Sequence, residues 1–138
     1  MAGSLHPQLR ADTVPVCDLA LSRVLAMNDA NFPWLILVPR RADASEIFDL
    51  GAEQVILLNE VSLASRALKD VTPCDKLNVA AIGNVVPQLH VHIVARRKDD
   101  ALWPKPVWGA AAPRAYDPVV LERFATAIRE RLRSAPSL

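Results

Sequence analysis

Three side chains with chemical potential stand two apart in Gln88-Leu89-His90-Val91-His92-Ile93-Val94. Alternating apolar and polar residues are the mark of a half-buried strand, and strand side chains alternate between faces. Gln88, His90 and His92 are therefore expected on one face, with Leu89, Val91 and Ile93 entering a core on the other. Paired imidazoles admit three readings: histidines satisfied by their neighbours, two ligands of one metal ion, or a nucleophile with an acid, base or phosphate contact beside it. The metal reading is the weakest of the three. The only other histidine is His6, and no spacing singles out a carboxylate such as Glu60 or Asp75 as a further ligand. The catalytic reading gains from Gly83-Asn84-Val85, a few residues upstream. A glycine lets a backbone amide approach a ligand closely, and an asparagine can donate to an oxyanion.

The elements that must position this row follow from patterning. Val14-Pro15-Val16-Cys17 reads as a short strand, placed at an edge by Pro15. The turn signal Asn28-Asp29-Ala30-Asn31 leads into Trp34-Leu35-Ile36-Leu37-Val38, which favours a hairpin over 21–38. Asp43 with Glu46 resembles a capping box opening a short helix through Leu50. Residues 52–69 make the strongest helix, with Leu57, Val61, Ala64 and Leu68 in one apolar stripe and Ile56, Leu63 and Ala67 beside it. An apolar surface that wide points to a subunit interface, the alternative being a wholly buried helix. Lys76 to Ile82 reads as a strand with Lys76, Asn78, Ala80 and Ile82 on one face, and the histidine strand is expected to run to about Arg96. Asp117-Pro118 caps a last helix carrying Leu121, Phe124, Ala125, Ile128 and Leu132, while residues 1–12 form an N-terminal arm.

Composition bounds the function. The 138 residues are 51% hydrophobic and 22% charged, which suits a single domain over 1–138 with a core at about 14–98 and a tail and helix over 99–138. A net charge of +1 provides no bulk electrostatic footprint for nucleic acid or an anionic membrane. No apolar run approaches the roughly 20 residues of a membrane span, and the first residues carry no secretory pattern. Cys17 and Cys74 form no metal-type or disulfide framework, so a soluble cytoplasmic protein with inert thiols is expected.

The stretch from Gly83 to Arg96 resembles the signature of the histidine triad superfamily, His-φ-His-φ-His-φ-φ with φ apolar. The resemblance extends through Asn28, the Trp34 strand and the 52–69 helix, covering roughly residues 20–98. It implies an α+β fold with an antiparallel sheet, one long helix packed on it and a homodimer through the 52–69 region. It also implies nucleotide binding, with hydrolysis or transfer at the α-phosphate of dinucleoside polyphosphates or nucleotide conjugates. By the same resemblance His90 matches the residue that forms a covalent nucleotidyl intermediate, and its second ring nitrogen is held by a backbone carbonyl, that of Gln88. His92 matches the phosphate contact, Gly83, Asn84 and Val85 the phosphate-binding turn, and Asn28 or Asp29 the ribose contact. No metal or cofactor is required by this scheme.

Two positions depart from the family pattern. Gln88 stands where most members have the first histidine, and Trp34 stands where many have another. The two positions interact in the family, so they are expected to form one altered set here. Gln88 can bond a bridging oxygen but cannot deliver a proton, which favours substrates with good leaving groups over phosphoramidates. A nucleotide-binding or regulatory module without turnover is the alternative. Trp103 and Trp108 are candidates to cover the nucleotide, with ordinary packing of the tail equally open. Arg40, Arg41, Arg96 and Arg97 are expected to be solvated rather than to meet phosphates.

Overall fold

The computed structural model describes residues 4–135. Five strands, Thr13–Asp18 (β1), Ser22–Met27 (β2), Trp34–Pro39 (β3), Lys76–Ala80 (β4) and Val91–Arg96 (β5), pair antiparallel in the order β1-β2-β3-β5-β4. Three helices accompany them: Pro7–Asp12 (α1), Gln54–Val71 (α2) and Pro118–Ser134 (α3). This is the α+β fold expected from the sequence.

Each face of the sheet has its own cover. Leu35, Leu37, Ile93 and Ala95 pack against Ala64 and Leu68 of α2 and Phe124, Ala125 and Ile128 of α3. Trp34, Ile36, Val38 and Val94 point the other way, beneath Leu9 of α1, Phe32, Val86 and Val107. The alternation of β3 and β5 thus serves two cores, and every residue of both strands is buried. The β2–β3 hairpin forms as the turn chemistry predicts, β1 lies at an edge, and its register shifts between Pro15 and Cys17. Asp117 accepts from the Val119 amide at 2.9 Å and caps α3 at the expected Asp-Pro pair.

Several local expectations need correction. The histidine strand begins at Val91, so Gln88, Leu89 and His90 belong to its entry segment. The reason is a competing bond: the Leu89 amide donates to Ala44 O at 2.9 Å, and Leu89 packs with Ala44 and Leu21 rather than extending the ladder. The short helix after the loop is a 3-10 segment, Ile47–Glu53, and Asp43 does not cap it; the Asp49 carboxylate accepts from the Ser45 and Glu46 amides instead. β4 ends at Ala80, not Ile82. In the second stripe of α2, Ala67 is buried while Ile56 is exposed.

Two charged residues are structural beyond expectation. Glu60, buried within α2, accepts from the Leu21 and Ser22 amides at 2.8 and 2.9 Å and so pins the start of β2 to the helix. Arg96 is 1% exposed rather than solvated. Its guanidinium bonds both Asp100 oxygens at 2.8 and 3.1 Å and Asn78 Oδ1 at 3.0 Å, and its central carbon lies 5.5 and 5.7 Å from the ring centroids of Phe32 and Trp103.

Candidate functional site

His90 immediately precedes β5, and His92 lies opposite Ile36 on β3. Their ring centroids are 4.9 Å apart with the planes at 72°. His90 Nδ1 meets Gln88 O at 2.7 Å. A carbonyl only accepts, so Nδ1 carries the proton and Nε2 presents a lone pair. The two imidazoles are 6% and 7% exposed, buried enough for polar partners to act at low local dielectric.

His92 is oriented by a different partner. Trp34 is paired with Val94 across the β3–β5 ladder, which places its indole diagonal to His92 on the same sheet face. Trp34 Nε1 donates to His92 Nδ1 at 3.1 Å. Burial, with His90 adding a smaller electrostatic contribution, lowers the His92 pKa to about 4. Trp108 completes an aromatic cluster, with its ring edge-on at 5.5 Å from His92 and 6.1 Å from Trp34. Its indole nitrogen is buried without an acceptor.

Two adjoining hollows meet at this cluster. One, of about 390 Å³, is lined by His90, His92 and the turn Gly83-Asn84-Val85, with Gln8 and Leu9 of α1 opposite. Gly83 has φ +70°, the left-handed conformation for which glycine is suited. The other, of about 410 Å³, is lined by Phe32, Trp34, Trp108, Asn28 and Asp29. Asp12, Met27, His92 and Trp108 border both.

The structure therefore gathers His90, His92, Gly83, Asn84 and Val85 around one hollow and sets Asn28 and Asp29 on the wall of the next. Gln88 lines neither. Its carboxamide faces the arm, where Oε1 accepts from the His6 amide and Nε2 donates to Ser4 O, both at 2.8 Å. Gln88 and Trp34 thus have separate partners, against the expectation of one interacting set. Asn28 and Asp29 also hold the tail: Asn28 Oδ1 accepts from the Tyr116 amide at 2.9 Å, and Asp29 Oδ1 from the Arg114 amide at 3.2 Å. Of the two tail tryptophans, Trp108 borders the hollows while Trp103 packs on Arg96.

The α1 wall was not anticipated from the sequence. Its signal was present: His6 caps the helix by accepting from the Gln8 amide, and Pro7 occupies the first turn, the same start pattern that identifies α3. Among the described residues, no group of three or more His, Cys, Asp or Glu side chains comes together as a metal site would need.

A central antiparallel sheet carrying paired, partner-fixed histidines defines a recognisable class of small α+β protein. Residues 8–99 match the HIT domain. The chain belongs to this histidine triad family, whose members are nucleotide-binding hydrolases and transferases. Solved structures agree over nearly the whole length. A histidine triad protein from Bradyrhizobium japonicum is 56% identical, with 94% of this chain and 97% of that one covered and a TM-score of 0.90. One from Sinorhizobium meliloti is 42% identical, with 93% and 96% covered and a TM-score of 0.90. One from Marinobacter aquaeolei is 40% identical, with 96% and 98% covered and a TM-score of 0.91. No curated protein matches the sequence.

Proposed function

We propose that the protein hydrolyses or transfers nucleoside monophosphates from dinucleoside polyphosphates or nucleotide conjugates through a covalent nucleotidyl-His90. The observation that carries this reading is the 2.7 Å bond from His90 Nδ1 to Gln88 O, which leaves Nε2 as a lone-pair donor beside the turn at Gly83. Nε2 attacks the α-phosphorus, an N–P bond forms, and the P–O bond to the leaving group breaks with its electron pair going to oxygen. Water then attacks phosphorus, the P–N electrons return to Nε2, and the water proton passes to solvent. His92, neutral near pH 7, donates to a phosphoryl oxygen, as do Asn84 and the Val85 amide. Asp29 Oδ2 and Asn28 Nδ2 are the groups offered to a ribose. No step calls for a metal or cofactor.

A second reading, nucleotide binding without turnover, is favoured by Gln88, whose carboxamide is engaged by the arm. One experiment separates the two. Incubation with a dinucleoside polyphosphate and with a fluorogenic adenylate is expected to give turnover and, on acid-free quenching, a trapped adduct on His90, both lost in His90→Ala. Equal rates for wild type and variant would remove the catalytic reading; AMP binding by calorimetry without turnover would establish the second.

The working unit is proposed to be a homodimer of this single domain. Support comes from exposed Phe48 in the 3-10 segment, from Val55, Ile56 and Leu58 at the start of α2 and from Val79 on the edge strand β4. Sedimentation at micromolar concentration should give twice the chain mass. The free thiols of Cys17 and Cys74 support a cytoplasmic setting, and among the described residues no helix is long and apolar enough to cross a membrane. The near-neutral charge argues against nucleic acid as a partner.

A further inference from the structure

The Trp34–His92 bond has a direction that a histidine partner would leave open. An indole N–H is a donor only, so His92 Nδ1 must accept and the neutral ring must carry its proton on Nε2. Charging His92 would place a second N–H against the indole N–H. Trp34 is 7% exposed, so its donor would be left without water or acceptor. The low His92 pKa has burial and the neighbouring His90 as its causes, and the bond from Trp34 acts in the same direction. The other titratable groups bordering the ring are His90 at 4.9 Å between centroids, Asp12 on α1 and Asp29 in the β2–β3 turn, both on the walls of the hollows.

We propose that Trp34 is a positioning residue that locks His92 as a neutral Nε2–H donor, and that this lock restricts the site to nucleotides whose leaving group departs unprotonated. The substrate half of this inference rests on the nucleotidyl-His90 reading. A neutral imidazole donates a hydrogen bond to a phosphoryl oxygen but is a poor acid near pH 7. Gln88 cannot supply the proton either, since its amide does not ionise and is bonded to the arm. When the N–P bond to His90 forms, the departing atom must carry away its electron pair as a stable anion. The phosphates departing from nucleoside polyphosphates and the carboxylates departing from acyl nucleotidylates do this. Amines leaving from phosphoramidates and alcohols leaving from alkyl esters do not. A positioned general acid contributes about 10²- to 10⁴-fold, so a preference of roughly 100-fold or more for an adenylate anhydride over a matched adenosine phosphoramidate is expected.

The test has two arms, and the first needs no activity. Two-bond proton–nitrogen NMR of the 15N-labelled wild type should show His92 protonated at Nε2 and bare at Nδ1, without titration between pH 5 and 8. Trp34→Phe should let His92 titrate at least about one pH unit higher, a tenfold easier protonation. A proton on Nδ1 in the wild type, or unchanged titration in the variant, overturns the lock, and the wild-type spectrum decides even where Trp34→Phe fails to fold. The second arm compares the two substrates in wild type and Trp34→His. The anhydride-to-phosphoramidate ratio should fall by about tenfold or more in the variant; equal cleavage of both substrates by the wild type, or an unchanged ratio, overturns the restriction. If neither substrate turns over, the nucleotidyl-His90 reading and the restriction fall together, while the spectra still decide the lock.

Discussion

Replacing Gln88 by glutamate changes one atom and tests which partner the side chain serves. The carboxylate still accepts from the His6 amide, but it can no longer donate to Ser4 O, and it sets an anionic oxygen against that carbonyl. A lost hydrogen bond with an unfavourable contact in its place costs roughly 1–3 kcal/mol, and the solvent exposure of the Ser4 bond puts this case in the lower half of that range. A loss of about 1–2 kcal/mol makes local opening of the arm about 5- to 30-fold more frequent. Native-state hydrogen exchange should report it at the His6 amide, bonded to Gln88, and at the Arg10 amide, bonded to His6 O. In turnover, Gln88→Glu should raise KM and leave kcat within about threefold, because Gln8, Leu9 and Asp12 wall the histidine hollow while the Gln88 carbonyl that orients His90 belongs to the backbone. A hundredfold fall in kcat with the arm still protected would refute this reasoning and put the Gln88 side chain at the reacting group.

Stability should fall on acidification through His92. Its folded pKa is about 4 and its ordinary value about 6.5, so the unfolded chain binds the proton first; the contribution is complete above about pH 6.5 and declines towards pH 4, by of order 3 kcal/mol, measurable by urea unfolding across that range. Asp100→Asn should cost about 3 kcal/mol by the same assay, because it removes the carboxylate that pairs the buried Arg96 charge. Burial opposes ionisation of Asp100, yet the bonds from Arg96 and from the Arg97 and Leu102 amides outweigh it and hold its pKa at about 2; the gain is full above about pH 4 and fades towards pH 2. Glu60→Gln turns a double acceptor into a side chain with one acceptor and one donor facing two amides, and should lower stability by about 1–3 kcal/mol with the sheet retained in circular dichroism.

What could be read beforehand was whatever depends on local chemistry and periodicity. The β2–β3 hairpin follows from Asn28-Asp29 and the branched run after Pro33, and α3 from Asp117-Pro118. The spacing of His90 and His92 was enough to place them side by side. What stayed hidden depends on partners far away in sequence. Leu89 leaves the ladder because Ala44 O competes for its amide. Arg96 looks like a surface residue until Asp100, Asn78 and two aromatic rings enclose it. The destination of the Gln88 carboxamide depends on Ser4 and His6, more than eighty positions upstream. Asn28 and Asp29 announce a turn, but nothing local says that their oxygens also hold residues 114 and 116.

Those tail bonds divide the labour of the molecule. The HIT match ends at residue 99, yet Val107, Trp108 and Gly109 line the aromatic hollow. The paired histidines sit on the shared scaffold, whereas part of the wall of the adjoining hollow is contributed from outside it. Four bonds suspend that wall from the hairpin turn: Ala30 to Arg114 O, Asn31 to Ala112 O, and the Asn28 and Asp29 acceptors. None of them touches His90. On the proposed function, selectivity becomes a cassette: grafting a different tail onto the same turn is expected to change what the hollow admits while the histidine pair stays as it is.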